Sequence, residues 1–272
     1  MKALPTRILS AVIGLTLMFV LFYFFEANGL RFLCLAAVVL GTREISRILF
    51  SQDKAPTLKI VFALLAIVVF GFGVWHFNFL APAFGVAMVF FFSLTLFARH
   101  SFSTLDDLSR FLSRAILGLF YVSLLPAFAS QILDLEHGMI WFFALLAIVF
   151  AGDTFAYIAG VSFGKNLLMP QLSPKKTLEG SVGGLLGSCV AAGLFHLKLP
   201  LIPIYALVLL GLTTGFIGQM GDLFESMLKR VANQKDSGSL MPGHGGILDR
   251  IDGVLFAAPV LLAGASMLEA LF

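Results

Sequence analysis

Charged side chains are scarce in this chain. Lysine, arginine, aspartate and glutamate make up 12% of its 272 residues, whereas about 25% is usual in soluble domains. So few charges cannot cover the surface of a water-soluble globule, because large apolar patches drive association. With 59% hydrophobic residues and a mean hydropathy of +0.99, the sequence predicts an integral membrane protein.

Cysteine is scarce as well. Cys34 and Cys189 are the two present, and each lies within an apolar run, which excludes a disulfide-stabilised scaffold. The 30 phenylalanines exclude a disordered chain. The net charge of +3 could suggest nucleic acid, but basic residues spread over an apolar chain are explained more simply as topology signals. No nucleic-acid partner is expected.

Runs of roughly 20 apolar residues can cross the hydrocarbon layer of a bilayer as helices. The runs found here predict an all-α integral membrane protein with about nine transmembrane helices. The first run lacks a signal-peptide cleavage site, so we expect it to remain as an anchor. The nine runs cover approximately residues 8–25, 30–50, 58–75, 79–98, 111–132, 139–163, 181–198, 202–223 and 251–271.

The basic residues predict the orientation of these helices. With nine spans, 16 of the 18 lysines and arginines fall on one side, and only Arg31 and Lys198 fall on the other. The positive-inside bias then places the N-terminus in the cytoplasm and the C-terminus on the opposite side. We expect the protein to reside in the cell (cytoplasmic or inner) membrane, with its active site facing the cytoplasm.

The expected organisation has three parts. Residues 1–98 form helices one to four, a scaffold that could supply dimer contacts, and residues 99–137 form helix five with its flanks. Residues 138–272 form helices six to nine with two long cytoplasmic loops, 164–180 and 224–250, and we expect the functional site in this part. Long ordered loops usually carry function.

Acidic residues concentrate in this last part of the chain. Asp153 lies in the middle of an apolar run, where a charge costs about 2.5–3.5 kcal/mol, so we expect it to face a polar cavity. Asp222 and Glu225 stand three residues apart at the end of span eight, and Asp249 and Asp252 repeat this spacing where span nine begins. Each pair shares a helix face. Carboxylates so placed favour a hard divalent cation.

Basic residues and glycines accompany the acids. Lysines and arginines mixed with carboxylates suit a phosphate chain that is bridged to the protein through metal. Glycines around His244 would let backbone N–H groups approach phosphate. Ser173 followed by Pro174 predicts a helix start that offers N–H groups to an anion. Paired glycines from Gly180 to Gly187 predict close packing of span seven against a neighbour.

Two stretches resemble the phosphatidate cytidylyltransferases, also called CDP-diacylglycerol synthases. Residues 226–252 read SMLKRVANQKDSGSLMPGHGGILDRID, which is similar to the signature of that family without a gap, and residues 173–180 read SPKKTLEG, similar to its second motif. The resemblance implies a magnesium-dependent membrane transferase of phospholipid biosynthesis, with CTP and phosphatidic acid as substrates, membrane lipids around it and a homodimeric state.

The resemblance also implies residue roles. Asp222 and Asp249 would bind one or two divalent ions, with Asp153 and Asp252 as further candidate ligands and a monovalent ion as an additional candidate. The expected catalytic residues are Asp222, Asp249, Lys235 and Asp252. The expected substrate-binding residues carry positive charge or a hydroxyl or imidazole group: Lys175, Lys176, Lys229, Arg230, His244, Arg250 and Ser237.

Two other functions are also compatible with the sequence. A CTP-dependent lipid kinase acting on a polyprenol-type alcohol would need a similar metal and triphosphate site. A secondary transporter would also carry intramembrane acids and broken helices. Its acids should line a path through the membrane, whereas these acids crowd one side.

Overall fold

The computed structural model describes residues 3–238 and 245–272. Within them, eight helices are long and apolar enough to cross a membrane, which confirms a helical integral membrane protein. These candidate spans are Thr16–Leu49, Pro56–Trp75, Asn78–Phe97, Leu105–Asp134, Gly138–Phe163, Leu178–Leu197, Ile204–Val231 and Leu248–Leu271.

Nine α-helices build these spans. They are α1 (Ala3–Leu49), α2 (Pro56–Trp75), α3 (Phe77–Phe97), α4 (Leu105–Leu119), α5 (Leu125–Gln131), α6 (Gly138–Phe163), α7 (Leu178–Leu194), α8 (Ile204–Val231) and α9 (Leu248–Leu271). A π-helical turn at Phe120–Leu124 joins α4 to α5, so the two helices belong to one span.

The predicted count of nine spans is not confirmed, and the difference lies in α1. The first two predicted spans form one helix that is interrupted at Glu26, where φ is 51° and ψ is −129°. Residues eight apart in a straight helix are separated by about 12 Å. Leu21 and Gly29 are eight residues apart in α1, yet they lie close together, because a side chain at Gly29 would collide with the carbonyl oxygen of Leu21. The chain therefore bends sharply at Glu26.

The chain forms two compact units, the first of which comprises Met1–Ser130 and Val231–Arg250. In its described part, phenylalanine rings fill the core. Phe50 lies 5.1 Å from Phe62 and 4.8 Å from Phe111, between ring centroids. At the N-terminus of α4, Thr104 and Asp107 form a capping box, which satisfies backbone N–H groups there.

The second unit comprises Gln131–Arg230 and Ile251–Phe272. Its helices α6 and α7 pack closely because α7 presents glycines to α6. A Cβ atom at Gly184 would lie 2.9 Å from the Cβ of Ala156, and one at Gly187 would lie 2.7 Å from the Cβ of Phe155. The packing predicted for the paired glycines is confirmed.

A short hairpin precedes α7, so the prediction of a helix start at Ser173 is wrong. Strand β1 (Leu167–Met169) pairs antiparallel with β2 (Ser173–Thr177). The residue before a proline is disfavoured in the α region, which explains the extended backbone of Ser173. The helix begins instead at Leu178, where the Thr177 hydroxyl accepts a hydrogen bond from Gly180 N at 3.1 Å.

Helix α8 continues beyond its predicted end. The sequence predicts a loop from residue 224, but the helix runs to Val231. Asp222 and Glu225 therefore lie within a helix, and the intervening polar segment shortens to residues 232–247. The apolar pattern stops at Leu223, whereas the backbone continues because Leu228 remains buried against the protein.

Candidate active site

A cavity of about 460 Å³ lies in the second unit, among α6, the hairpin, α7 and α8. It gathers four of the predicted site residues from three separate parts of the chain. The polar residues that line it are Asp153, Ser173, Lys175, Lys176, Thr177, Ser181, Gln219 and Asp222. The hairpin thus places both lysines of the second motif beside the acids of α6 and α8.

Lys176 and Asp222 form an ion pair across this cavity. Their side chains are 31% and 32% exposed, so water weakens the attraction and the pair contributes little to stability. A phosphate group could therefore replace Asp222 as the partner of Lys176 at small cost. If an anion and a cation enter the cavity together, Lys176 can bind the anion and Asp222 can bind the cation.

Two neutral side chains, Ser181 and Gln219, also line the cavity. Neither was predicted from the sequence to belong to the site. The Ser181 hydroxyl donates to Gln219 Oε1, and Gln219 Nε2 donates to the Ser181 carbonyl at 3.0 Å. This double contact fixes α7 to α8 one helical turn before Asp222. Gln219 is a polar residue within an otherwise apolar run of α8, and this contrast is the sequence feature that could have indicated its role in the cavity.

Carboxylates gather around Asp252. Its side chain accepts a hydrogen bond from Gly253 N at 2.7 Å and lies within electrostatic range of Asp222, Glu225 and Asp153. Lys176 and Lys229 offset the charges of Asp222 and Glu225, and a further cation would reduce the repulsion that remains among the four carboxylates. The oxygen donors suit a hard divalent ion such as Mg²⁺. Over residues 3–238 and 245–272, no three acidic, histidine or cysteine side chains already converge on one metal position.

Lys229, predicted to bind substrate, contacts an acid of its own helix. Its Nζ lies 2.5 Å from Oε2 of Glu225, which is fully buried. Arg230 is exposed, and its Nε donates to the Leu172 carbonyl of the hairpin at 3.4 Å. Of these two cations, Arg230 is the more accessible to a substrate.

The other predicted residues lie in the first unit or outside the described residues. Asp249 Oδ2 accepts hydrogen bonds from Ser237 N at 2.9 Å, Ser237 Oγ at 3.0 Å and Gly246 N at 2.8 Å. The carboxylate thus ties together the two ends of the glycine-rich segment. Lys235 and Arg250 are exposed. His244 falls outside the described residues.

Fold and cavity describe an integral membrane protein in which lysines and carboxylates share one polar site, an arrangement that can bind phosphate groups together with a metal ion. Comparison with known proteins gives the family. The model of the "Cytidylyltransferase family" matches residues 5–268. The chain belongs to this cytidylyltransferase family, which confirms the resemblance seen in the sequence. The protein is therefore a nucleotidyltransferase.

Three relatives are named phosphatidate cytidylyltransferase. The protein of Synechocystis sp. is 33% identical over 295 residues, and the alignment covers 95% of each chain. The protein of Staphylococcus haemolyticus is 31% identical over 264 residues, which is 95% of this chain and 97% of the relative. The protein of Bacillus subtilis is 38% identical over 178 residues, and this alignment spans 64% of each chain.

Proposed function

We propose that the protein transfers the cytidylyl group of CTP to phosphatidic acid and yields CDP-diacylglycerol and pyrophosphate. Family membership over residues 5–268 and 31–38% identity to proteins that carry this name support the activity. The observation that carries the proposal is the Lys176–Asp222 pair in the cavity. It supplies a cation for phosphate and a carboxylate for metal in one place.

In this reaction, a phosphate oxygen of phosphatidic acid attacks the α-phosphorus of CTP, and the bond to the β,γ-pyrophosphate breaks. Both substrates are anions, so the protein must chiefly overcome repulsion and align the reacting groups. Lys175 and Lys176, which line the cavity, would bind phosphate oxygens with Arg230 as a further cation, and Lys235 stays a cation predicted from the sequence. The nucleophile is already ionised and needs no general base, so we assign His244 a phosphate contact.

The acids of the second unit would hold a divalent ion. Asp222 and Asp252 are the proposed ligands there, with Asp153 as a further candidate, and Asp249 stays a ligand predicted from the sequence. When bound, Mg²⁺ would neutralise phosphate charge and polarise the phosphoryl oxygens. Transfer of Lys176 from Asp222 to a substrate phosphate would free the Asp222 carboxylate at the same moment.

Access for a lipid is supported by the apolar rim of the cavity. Tyr157 and Val161 of α6 line it and are 73% and 71% exposed. In a bilayer, such side chains contact acyl chains, so a headgroup can reach the lysines without leaving the membrane. We further propose nine spans, divided at Glu26, with the site at the cytoplasmic face of the inner membrane and the protein a homodimer.

Labelled substrates test the reaction. Purified protein in detergent, supplied with phosphatidic acid and Mg²⁺, should move label from [α-³²P]CTP into lipid and release label from [γ-³²P]CTP as pyrophosphate. Omission of Mg²⁺ should abolish transfer. In a parallel reaction that contains a polyprenol-type alcohol in place of phosphatidic acid, lipid that gains the γ-phosphate and no cytidine, with release of CDP, would instead indicate the rival activity, phosphorylation of a lipid alcohol.

A further inference from the structure

Glu44 is a buried acid near the end of α1, in the first unit. Its side chain is only 4% exposed. A carboxylate removed from water is costly unless hydrogen bonds replace the lost solvation. Three donor groups face Glu44: Ser237 Oγ at 2.9 Å, Ile247 N at 3.0 Å and Leu248 N at 3.0 Å.

All three donors belong to the segment that carries Asp249. Ile247 and Leu248 lie at the start of α9, where backbone N–H groups have no acceptor within the helix. Glu44 supplies that acceptor from another helix, and the positive end of the α9 dipole favours its charge. Glu44 therefore fixes the place where α9 begins, one residue before Asp249.

Glu44 and Asp249 also meet at one hydroxyl group. Ser237 Oγ lies 2.9 Å from Glu44 Oε2 and 3.0 Å from Asp249 Oδ2, and its one proton can be donated to either carboxylate but not to both at once. A side chain at Gly246 would collide with the Glu44 carboxylate and with Ser237 Oγ. The glycine lets the backbone come close enough for Gly246 N to donate to Asp249 at 2.8 Å.

We propose that Glu44 is a positioning residue for the transferase. It orients the Asp249 carboxylate through Ser237 and through the first N–H groups of α9, and it does not contact the reacting atoms. The inference rests on the proposed function, because the part played by Asp249 belongs to that proposal. Nothing in the signature stretches 173–180 and 226–252 indicates this role, since Glu44 precedes both.

The test compares divalent-ion binding in Glu44→Gln and wild type. The amide keeps the shape and one acceptor oxygen but places its NH2 group against the N–H of either Ile247 or Leu248, so the start of α9 should shift and the Asp249 carboxylate should lose its orientation. We expect a decrease in kcat of at least about tenfold and an increase of at least about fivefold in the Mg²⁺ concentration for half-maximal activity. The KM for phosphatidic acid should change less than about twofold.

A second readout needs no turnover. Electron paramagnetic resonance of Mn²⁺, titrated into protein without substrates, should show binding weakened by a similar factor in Glu44→Gln. The matched control is Glu269→Gln. Glu269 also accepts from backbone N–H groups at a helix start, at 2.9 Å from His137 N, but it contacts no predicted site residue, so both metal readouts should stay within twofold of wild type.

The outcomes separate this inference from the proposed function. If the wild type makes no CDP-diacylglycerol, the proposed function fails. If the wild type is active and Glu44→Gln keeps wild-type Mn²⁺ binding and Mg²⁺ dependence, the positioning role is refuted.

If Glu44→Gln does not fold, Ser237→Ala tests the same link, because it removes the shared hydroxyl. We then expect Mn²⁺ binding at least about twofold weaker, and unchanged binding would overturn the inference.

Discussion

Asp222 combines several interactions in one side chain. It pairs with Lys176, lines the cavity, and lies within electrostatic range of Asp252. Its side chain is 32% exposed, so water, the lysine and a bound cation can each offset its charge. In the proposed mechanism, Asp222 would therefore join metal binding to substrate binding, since each partner can release the other.

Replacement of this carboxylate should remove catalysis and leave the fold intact. We expect Asp222→Asn to lower turnover at least about a hundredfold, which corresponds to roughly 2.7 kcal/mol of transition-state stabilisation. Initial rates with saturating CTP measure the effect. The control is Asp106→Asn, because Asp106 forms an exposed ion pair with Arg110 on α4, and its activity should stay within twofold. Near-normal turnover in folded Asp222→Asn would contradict the role.

Sequence reasoning found the acids that stand out and missed those that do not. Asp153 is conspicuous because its neighbours are apolar, and the structure places it in the cavity. Glu44 lies between Arg43 and Arg47, so it resembles an ordinary solvated helix end. Its donors are about 200 residues further along the chain, and no local pattern indicates a contact at that separation. Gln219 and Ser181 carry no charge and gave a weaker signal.

At the level of elements, the apolar patterns predicted the helices but not how they begin and end. Helix α8 extends to Val231 although its last turns are polar outside, because one face remains buried. The Ser173–Thr177 strand was mistaken for a helix start because Pro174 suits both settings. Pairing with Leu167–Met169 decides between them, and strand pairing is tertiary information.

The α6–α7 contact offers a prediction at this scale. A side chain at Gly187 would meet Phe155 Cβ at 2.7 Å and the Ala151 carbonyl oxygen at 3.0 Å. Gly187→Leu should therefore separate the helices, with an overpacking cost of about 1–3 kcal/mol. Thermal unfolding in detergent should show a decrease of several degrees in Tm. Activity should also fall, because α7 carries Ser181 of the cavity.

Gly85 of α3 provides the matched control for that substitution. Apart from the chain neighbours and the backbone of its own helix, no atom lies within 4 Å of a Cβ built at this position, and leucine favours a helix more than glycine does. Gly85→Leu should leave Tm unchanged or slightly higher. Equal Tm values for the two variants would show that glycine is not required for α7 to pack on α6.

For the whole molecule, the proposed topology makes opposite predictions for two loops. In a background with Cys34 and Cys189 replaced by alanine, a cysteine at position 201 should react with an impermeant maleimide added to spheroplasts. A cysteine at position 52 should react only after the membrane is opened. A cysteine placed before Met1 should also be protected if α1 crosses the membrane twice, with its bend at Glu26. Labelling of that N-terminal cysteine from outside would contradict nine spans.

The bonds between Glu44 and the start of α9 also set an order of assembly. A ribosome adds about 5–20 residues per second, so Glu44 is made roughly 10 to 40 seconds before Leu248. Until then, the donors that satisfy this acid in the finished protein do not exist. The first unit, although it contains the earliest part of the chain, can be completed only when synthesis is nearly over. Loss of the last helix would therefore leave the buried acid of the first helix without the backbone donors of Ile247 and Leu248.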